Sequence, residues 1–257
     1  MNYIISALTD IGITKKTNQD SYLGQVYDTS VGKVAFGIMC DGMGGLTNGE
    51  LASATVVAEF EKWVKNKLPV LLANNSLSDE IISAEWIQIA TNCNETIKQY
   101  GRRIGSNLGT TLCAILLVGN RYYIINVGDS RAYLLNNTLN VLTKDQTVVA
   151  REVELGKLTL EQAAVDPRRS VLLQCIGASD VIYPDMFFGT VEPNSVFFLC
   201  TDGFRHEITP EEIYSYLNPN VITGTDVIQN NISCLIEACK QRDEHDNISV
   251  LLIKTIN

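Results

Sequence analysis

Uninterrupted apolar runs, each closed by turn-forming residues, recur along the chain. Val34–Cys40, Thr111–Val118, Tyr122–Val127, Arg131–Leu135, Ser195–Cys200 and Ile248–Ile253 predict strands. Gly119-Asn120 and Asn136-Asn137 suit tight turns, so the middle strands predict an antiparallel meander. Two stretches between the first strands have helical spacing instead. Gly49–Lys67 sets Leu51, Val57, Phe60 and Val64 on one face, and Glu85–Tyr100 does so with Ile89, Cys93 and Ile97, Gly101 acting as a stop. Trp63 and Trp86 fall in these stretches as packing residues. Thr209-Pro210-Glu211-Glu212 has capping-box spacing, and a last helix is predicted from about Asp226 to about Lys240. After Lys144 the pattern changes. Val148–Leu155 is helical, Gly156 stops it, Thr159–Gln162 is another capping box, and Asp166-Pro167 closes the excursion. Strands, helices, strands and a final helix describe an α+β fold in one domain rather than a regular βαβ alternation.

The composition narrows the class. The 257 residues carry 29 acidic and 20 basic side chains, a net charge of −9, with no Lys/Arg run. That balance argues against nucleic acid and anionic membrane as partners. The seven cysteines are scattered, several inside apolar runs, and no Cys/His spacing suggests zinc. The start of the chain has neither a basic segment nor a long apolar one. The expectation is a cytoplasmic monomer.

The chemistry is carried by aspartates at strand ends. Val34–Cys40 runs into Asp41-Gly42, Ser195–Cys200 into Thr201-Asp202-Gly203, and Tyr122–Val127 into Gly128-Asp129, while Asp246 stands directly before Ile248–Ile253. Any one Asp-Gly pair is most often simply a turn. Several carboxylates gathered at one rim would repel one another and raise their own pKa values unless a cation compensates them. Oxygen-only donors would select Mg²⁺ or Mn²⁺ over zinc. The glycines would let the backbone turn sharply and come close to an ion, leaving the Gly42 carbonyl as a further donor.

Seven segments in order resemble the type 2C (PPM-type) metal-dependent protein serine/threonine phosphatases, in their compact bacterial form. They are Thr9–Gly12 with Asn18-Gln19-Asp20-Ser21, Cys40-Asp41-Gly42-Met43-Gly44-Gly45, Leu108–Thr111, Asn126–Arg131, Leu142-Thr143-Lys144-Asp145-Gln146, Cys200–Gly203, and Asp246-Asn247-Ile248-Ser249. The resemblance covers nearly the whole chain. It implies a four-layer αββα sandwich, two antiparallel β-sheets flanked by helix pairs, formed by residues 1–257 with a helical flap at about 145–172. It implies two Mn²⁺ or Mg²⁺ ions held by Asp41, the Gly42 carbonyl, Asp202 and Asp246, with Gln19, Asp20 and Asn247 outside them. Asp129 with Asp202 would form a weaker third metal site. Phosphoserine and phosphothreonine in proteins, the products of a partner kinase, would be hydrolysed by metal-activated water with no phosphoenzyme.

Two positions depart from the family. Lys15 stands where an arginine usually grips the substrate phosphate, and it offers a point charge in place of a fork. Met43 replaces a histidine that eukaryotic members often carry, as in bacterial relatives. Of the two histidines, His245 adjoins Asp246 but reads as solvated, and His206 has no assigned role. Cys200 and Arg205 miss the spacing of a cysteine-dependent phosphatase loop, so Cys40 and Cys200 read as core. Two other functions fit the same carboxylates: a phosphoryl or nucleotidyl enzyme acting on nucleotides, and a catalytically silent phosphoprotein-binding module.

Overall fold

The computed structural model describes residues 1–44 and 48–256. Gly45, in the glycine-rich motif after Asp41, lies outside them. The chain begins with strands β1 (Asn2–Asp10), β2 (Ser21–Thr29), β3 (Gly32–Cys40) and the short β4 (Gly42–Gly44). Helices α1 (Gly49–Asn66), α2 (Leu68–Ala73) and α3 (Asp79–Ile104) follow. Then come β5 (Leu108–Thr110), β6 (Leu112–Val118), β7 (Arg121–Val127), β8 (Arg131–Leu135) and β9 (Leu139–Val141). Helices α4 (Val148–Glu154) and α5 (Leu160–Ala164) form the excursion expected after Lys144. The chain closes with β10 (Asp185–Thr190), β11 (Val196–Cys200), α6 (Asp202–Arg205), α7 (Pro210–Leu217), α8 (Thr225–Gln241) and β12 (Ile248–Ile256).

Two five-stranded antiparallel sheets carry the fold, in orders β1-β12-β11-β8-β9 and β10-β7-β6-β3-β2. Their facing sides interdigitate through Met39, Ile115, Ile124, Phe197, Leu199, Leu251 and Ile253. The outer face of the second sheet packs on α1, α2 and α3 through Phe36, Phe60 and Trp86. The outer face of the first packs on α7 and α8 through Phe198, Ile213, Ile232 and Leu252. Four layers result, helices–sheet–sheet–helices, because each sheet is apolar on both faces and each helix group on one. Trp86 is fully buried, its ring edge-on to those of Trp63 and Phe60 at 5.6 and 5.7 Å. Among the described residues no helix is long and apolar enough to cross a membrane.

Three local expectations are corrected. The meander breaks after β7: β6 pairs with β7, but β8 pairs with β11 in the other sheet. The chain changes sheet at Gly128, whose φ of 99° is open to glycine at little cost. The helix predicted from Glu85 begins at Asp79, where the Ser78 hydroxyl accepts from the Ile81 N–H. Gly101 does not stop that helix but lies buried within it, where a Cβ would stand 2.6 Å from the Ser106 carbonyl oxygen. Gly105, at φ 65°, ends it. In α1 the buried face runs through Ala52, Val56, Phe60 and Trp63, and Leu51 points outward.

Candidate active site

Chain ends from both sheets converge at one rim of the sandwich. Asp41 follows β3, Asp20 precedes β2, and Asp129 sits where the chain changes sheet. Asp202 opens α6 directly after β11, and Asp246 stands before β12, the neighbour of β11. Both strand ends therefore present an aspartate at the same level.

Backbone and hydroxyl contacts fix this rim. The Asp41 N–H donates to Thr111 Oγ1 at 2.9 Å, and the Asp41 carbonyl accepts from the Thr111 N–H and the Thr110 hydroxyl, each at 2.9 Å. Its carboxylate is left to face the other acids. Asp20 Oδ2 accepts from the Ser249 and Thr201 hydroxyls at 2.5 and 3.1 Å, tying the start of β2 to β11 and β12. Asn247 Oδ1 accepts from the Gln19 N–H at 2.9 Å, while its Nδ2 donates to the Ile11 carbonyl at 2.9 Å. Asn247 thus holds the loop that carries Lys15. The Gln19 amide spans the Gly42 carbonyl, to which it donates at 3.3 Å, and the Gly49 N–H, from which it accepts at 3.2 Å. The Gly42 N–H in turn donates to the Gln19 carbonyl at 3.2 Å.

The two Asp-Gly glycines are required for packing and not for a left-handed turn. A Cβ on Gly42 would lie 2.4 Å from the Gln19 and Gly49 carbonyl oxygens, and one on Gly203 would lie 2.3 Å from the Asn247 carbonyl oxygen. Neither residue has a positive φ. The close approaches draw the Asp41 segment against those of Gln19 and Gly49, and the Asp202 segment against that of Asp246.

The electrostatics follow. Burial pushes the Asp41 carboxyl well above its ordinary range, and Asp20, Asp202, Asp246 and Asp129 push it further. Burial raises Asp20 to about 7, against hydrogen bonds from Ser249 and Thr201. Among the described residues, Asp20 Oδ1 and Asp202 Oδ1 are buried without a hydrogen-bond partner, a costly state for carboxylate oxygens. Lys15 Nζ lies 2.7 Å from Asp246 Oδ1 and is within reach of the Asp41 and Asp202 charges. Among the described residues no three acidic, histidine or cysteine side chains close into a ready cage around one point. The oxygen-only donors, the orphaned oxygens and the mutual repulsion fit hard divalent cations at Asp41, Asp202 and Asp246.

Several residues at the rim carried no assignment from the sequence. His206 is partly buried between Asp202 Oδ2, 3.6 Å from Nε2, and Glu244 Oε2, 3.4 Å from Nδ1. Glu244 Oε1 also accepts from the His245 and Asp246 N–H groups at 2.8 and 2.9 Å. His206 and Glu244 thereby join the two aspartate-bearing segments. The signal for His206 was its place one helical turn after Asp202. Gln146 accepts from the Gly128 N–H at 2.8 Å and donates to Asp185 at 2.8 Å, which anchors the sheet change beside Asp129. His245 is exposed, in keeping with a solvated side chain. Cys40 and Cys200 are buried core thiols, and burial pushes Cys200 up to about 12. The α4–α5 excursion ends against the site, with Ser170 Oγ 3.5 Å from Asp202 Oδ2. Between it and β8 lies a cavity of about 430 Å³ walled by Val149, Val153 and Leu160 over Arg131, Asp145 and Arg205.

The sequence pattern of the family described as Protein phosphatase 2C matches residues 13–231. The chain belongs to the protein phosphatase 2C family. The protein phosphatase PhpP of Streptococcus pneumoniae is 30% identical over 254 residues, covering 97% of this chain and 96% of that one. The serine/threonine phosphatase of S. agalactiae superposes over 100% of both chains with a TM-score of 0.83 at 27% identity. The catalytic domain of the phosphatase PstP, solved in complex with two manganese ions, matches with a TM-score of 0.78 at 25% identity, over 99% of both chains. As a protein phosphatase 2C, this chain is a protein serine/threonine phosphatase, and its substrates are phosphoproteins.

Proposed function

We propose that this phosphatase hydrolyses phosphoserine and phosphothreonine in proteins through two divalent cations held by Asp41, the Gly42 carbonyl, Asp202 and Asp246. The observation that carries the reading is the rim itself, where buried aspartates from separate segments face one another and Asp202 keeps an orphaned oxygen. The manganese ions of the related PstP catalytic domain support the metal class. When bound, such ions supply an activated water and neutralise charge on the phosphate oxygens.

The chain's own residues do the rest. Asp20, pinned through Oδ2 by Ser249 and Thr201, keeps its other oxygen without a partner among the described residues, and that oxygen would accept from water. Gln19 and Asn247 hold the Gly42 and Lys15 backbones in register. Lys15, on the loop fastened by Asn247, stands at the mouth as the group that meets the substrate phosphate. His206 and Glu244 keep Asp202 and the Asp246 segment at fixed spacing. Residues 1–257 act as one catalytic domain, with 145–172 as a flap that meets the protein substrate. The substrate is the product of a partner serine/threonine kinase, and the phosphatase acts as a cytoplasmic monomer with Mn²⁺ or Mg²⁺.

The test is phosphate release from a phosphothreonine peptide with Mn²⁺, with Mg²⁺ and with excess EDTA, beside Asp202→Asn. Turnover is expected with either metal and none with EDTA, with a loss of at least about 10²-fold in the variant. Folded protein that binds the phosphopeptide but leaves it intact under every metal would replace the reading with a silent binding module.

A further inference from the structure

The family resemblance assigns a third ion to Asp129 together with Asp202, yet the surroundings of Asp129 already contain a cation. Arg205, on the same short helix as Asp202, sets Nη2 3.0 Å from Asp129 Oδ2 and 3.1 Å from the Asp129 carbonyl oxygen. The same nitrogen lies 3.3 Å from Asp145 Oδ2. Asp145 is held from its other side by Arg131, whose Nε and Nη2 each donate at 2.7 Å. The side chains of Asp129, Arg205 and Asp145 are only 5, 11 and 13% exposed. Two carboxylates and two guanidinium groups thus close a charge-balanced quartet between the sheet change and the root of the flap, buried at Asp129 and most open to solvent on the side of Arg131, whose side chain is 29% exposed.

A divalent ion at Asp129 would have to share this low-dielectric corner with a fixed positive charge. The alternative, expelling Arg205, would leave Asp145 with half its partners and a long cation without its own. Among the described residues, Asp20 and Asp202 each keep a buried oxygen without a hydrogen-bond partner, whereas in the quartet the one unpartnered atom of this kind is a donor, Arg205 Nε. We propose that Arg205 takes the place of the third cation, so that the enzyme works with two ions and Asp129 ties the flap root to the site through Arg205. The inference rests on the binuclear reading above, and its test separates the two.

The experiment is anomalous diffraction at the manganese edge from crystals of the full chain in millimolar Mn²⁺, with solution stoichiometry from calorimetry. Wild type and Asp129→Asn are both expected to bind two ions. Arg205→Gln, which removes the charge and keeps a polar group, is expected to gain a third ion on Asp129, and Asp129→Asn in that background to lose it. A third ion on Asp129 in wild type, a lost ion in Asp129→Asn, or a folded Arg205→Gln with only two ions would each overturn the inference while leaving the binuclear site standing. No bound Mn²⁺ at all would sink the binuclear reading and this inference with it. Should Arg205→Gln fail to fold, wild type and Asp129→Asn still decide.

Discussion

At the scale of single residues, Lys15 shows how a substitution inside a motif reads against its neighbours. Its loop is fixed by Asn247 and by Gly12, where φ is 77° and a Cβ would meet the Asp246 carbonyl oxygen at 2.2 Å. The backbone that carries the lysine is therefore fixed beside the Asp246 segment, and its ammonium reaches Asp246 Oδ1 at 2.7 Å. A guanidinium at the same position would offer two parallel donors to a phosphate where the ammonium offers one point charge. Lys15→Arg is expected to lower KM for a phosphopeptide about three- to tenfold with kcat little changed. Lys15→Ala is expected to raise KM by a similar factor at unchanged melting temperature. Steady-state kinetics across peptide concentration checks both, and an alanine variant with wild-type KM and kcat would remove Lys15 from the site.

At the scale of elements, α7 is tied to the end of α8 through one glutamate. Glu212 completes the capping box with Thr209 and receives both arms of Arg242 from the end of α8. The Arg242 hydrogen bonds, and then the Thr209 N–H, lower its carboxyl from 4.5 to about 2. A depressed acid stabilises the fold above its unfolded value and loses that contribution as pH falls through the folded one. The pair is partly exposed, so solvent screens most of its strength. Glu212→Gln is expected to lower the melting temperature by about 1–2 °C at pH 7, the difference shrinking between pH 4.5 and 2. Thermal melts over that range check it, and a pH-independent difference would assign the effect to the cap alone. The cap was legible in the sequence because its chemistry is local, as were the central strands β3, β6, β7, β8, β11 and β12. These are buried on both faces and read as unbroken apolar runs. Of the strands the pattern missed, β1, β2, β9 and β10 are the edges of the two large sheets, where half-buried positions blur the alternation, and β4 and β5 are only three residues long. The jump of β8 into the other sheet was also hidden, since a turn at Gly128 looks the same whichever sheet follows. Asp41, Asp202 and Asp246 were legible because each adjoins a central strand. Arg205 and Glu244 were not, because the strands that bring them their partners, β8 beside β11 and β11 beside β12, are far apart in sequence, and His206 showed only its spacing from Asp202.

At the scale of the whole molecule, the sandwich spends stability at one rim. Everywhere else the sheets bury apolar side chains against each other, whereas here five strand and loop ends bring carboxylates into a desolvated space. Asp41 is the most exposed to that conflict, raised by burial and by four neighbouring acids, and the hydrogen bonds that fix it to Thr110 and Thr111 run through its backbone. Removing its charge therefore removes repulsion while the contacts to Thr110 and Thr111, made by the Asp41 backbone, remain. An amide there should stabilise the metal-free fold and abolish turnover, as expected where function and stability pull apart. After EDTA treatment, Asp41→Asn is expected to melt about 2–6 °C above wild type, corresponding to about 1–2 kcal/mol for a chain of this length. Saturating Mn²⁺ should then raise wild type and leave the variant nearly unmoved, by the linkage of binding to folding. Calorimetric melts of both proteins with and without Mn²⁺ make the comparison. A variant that melts below stripped wild type would mean that Asp41 is held by contacts the rim does not show, and that the acids there are a structural network before they are an ion site.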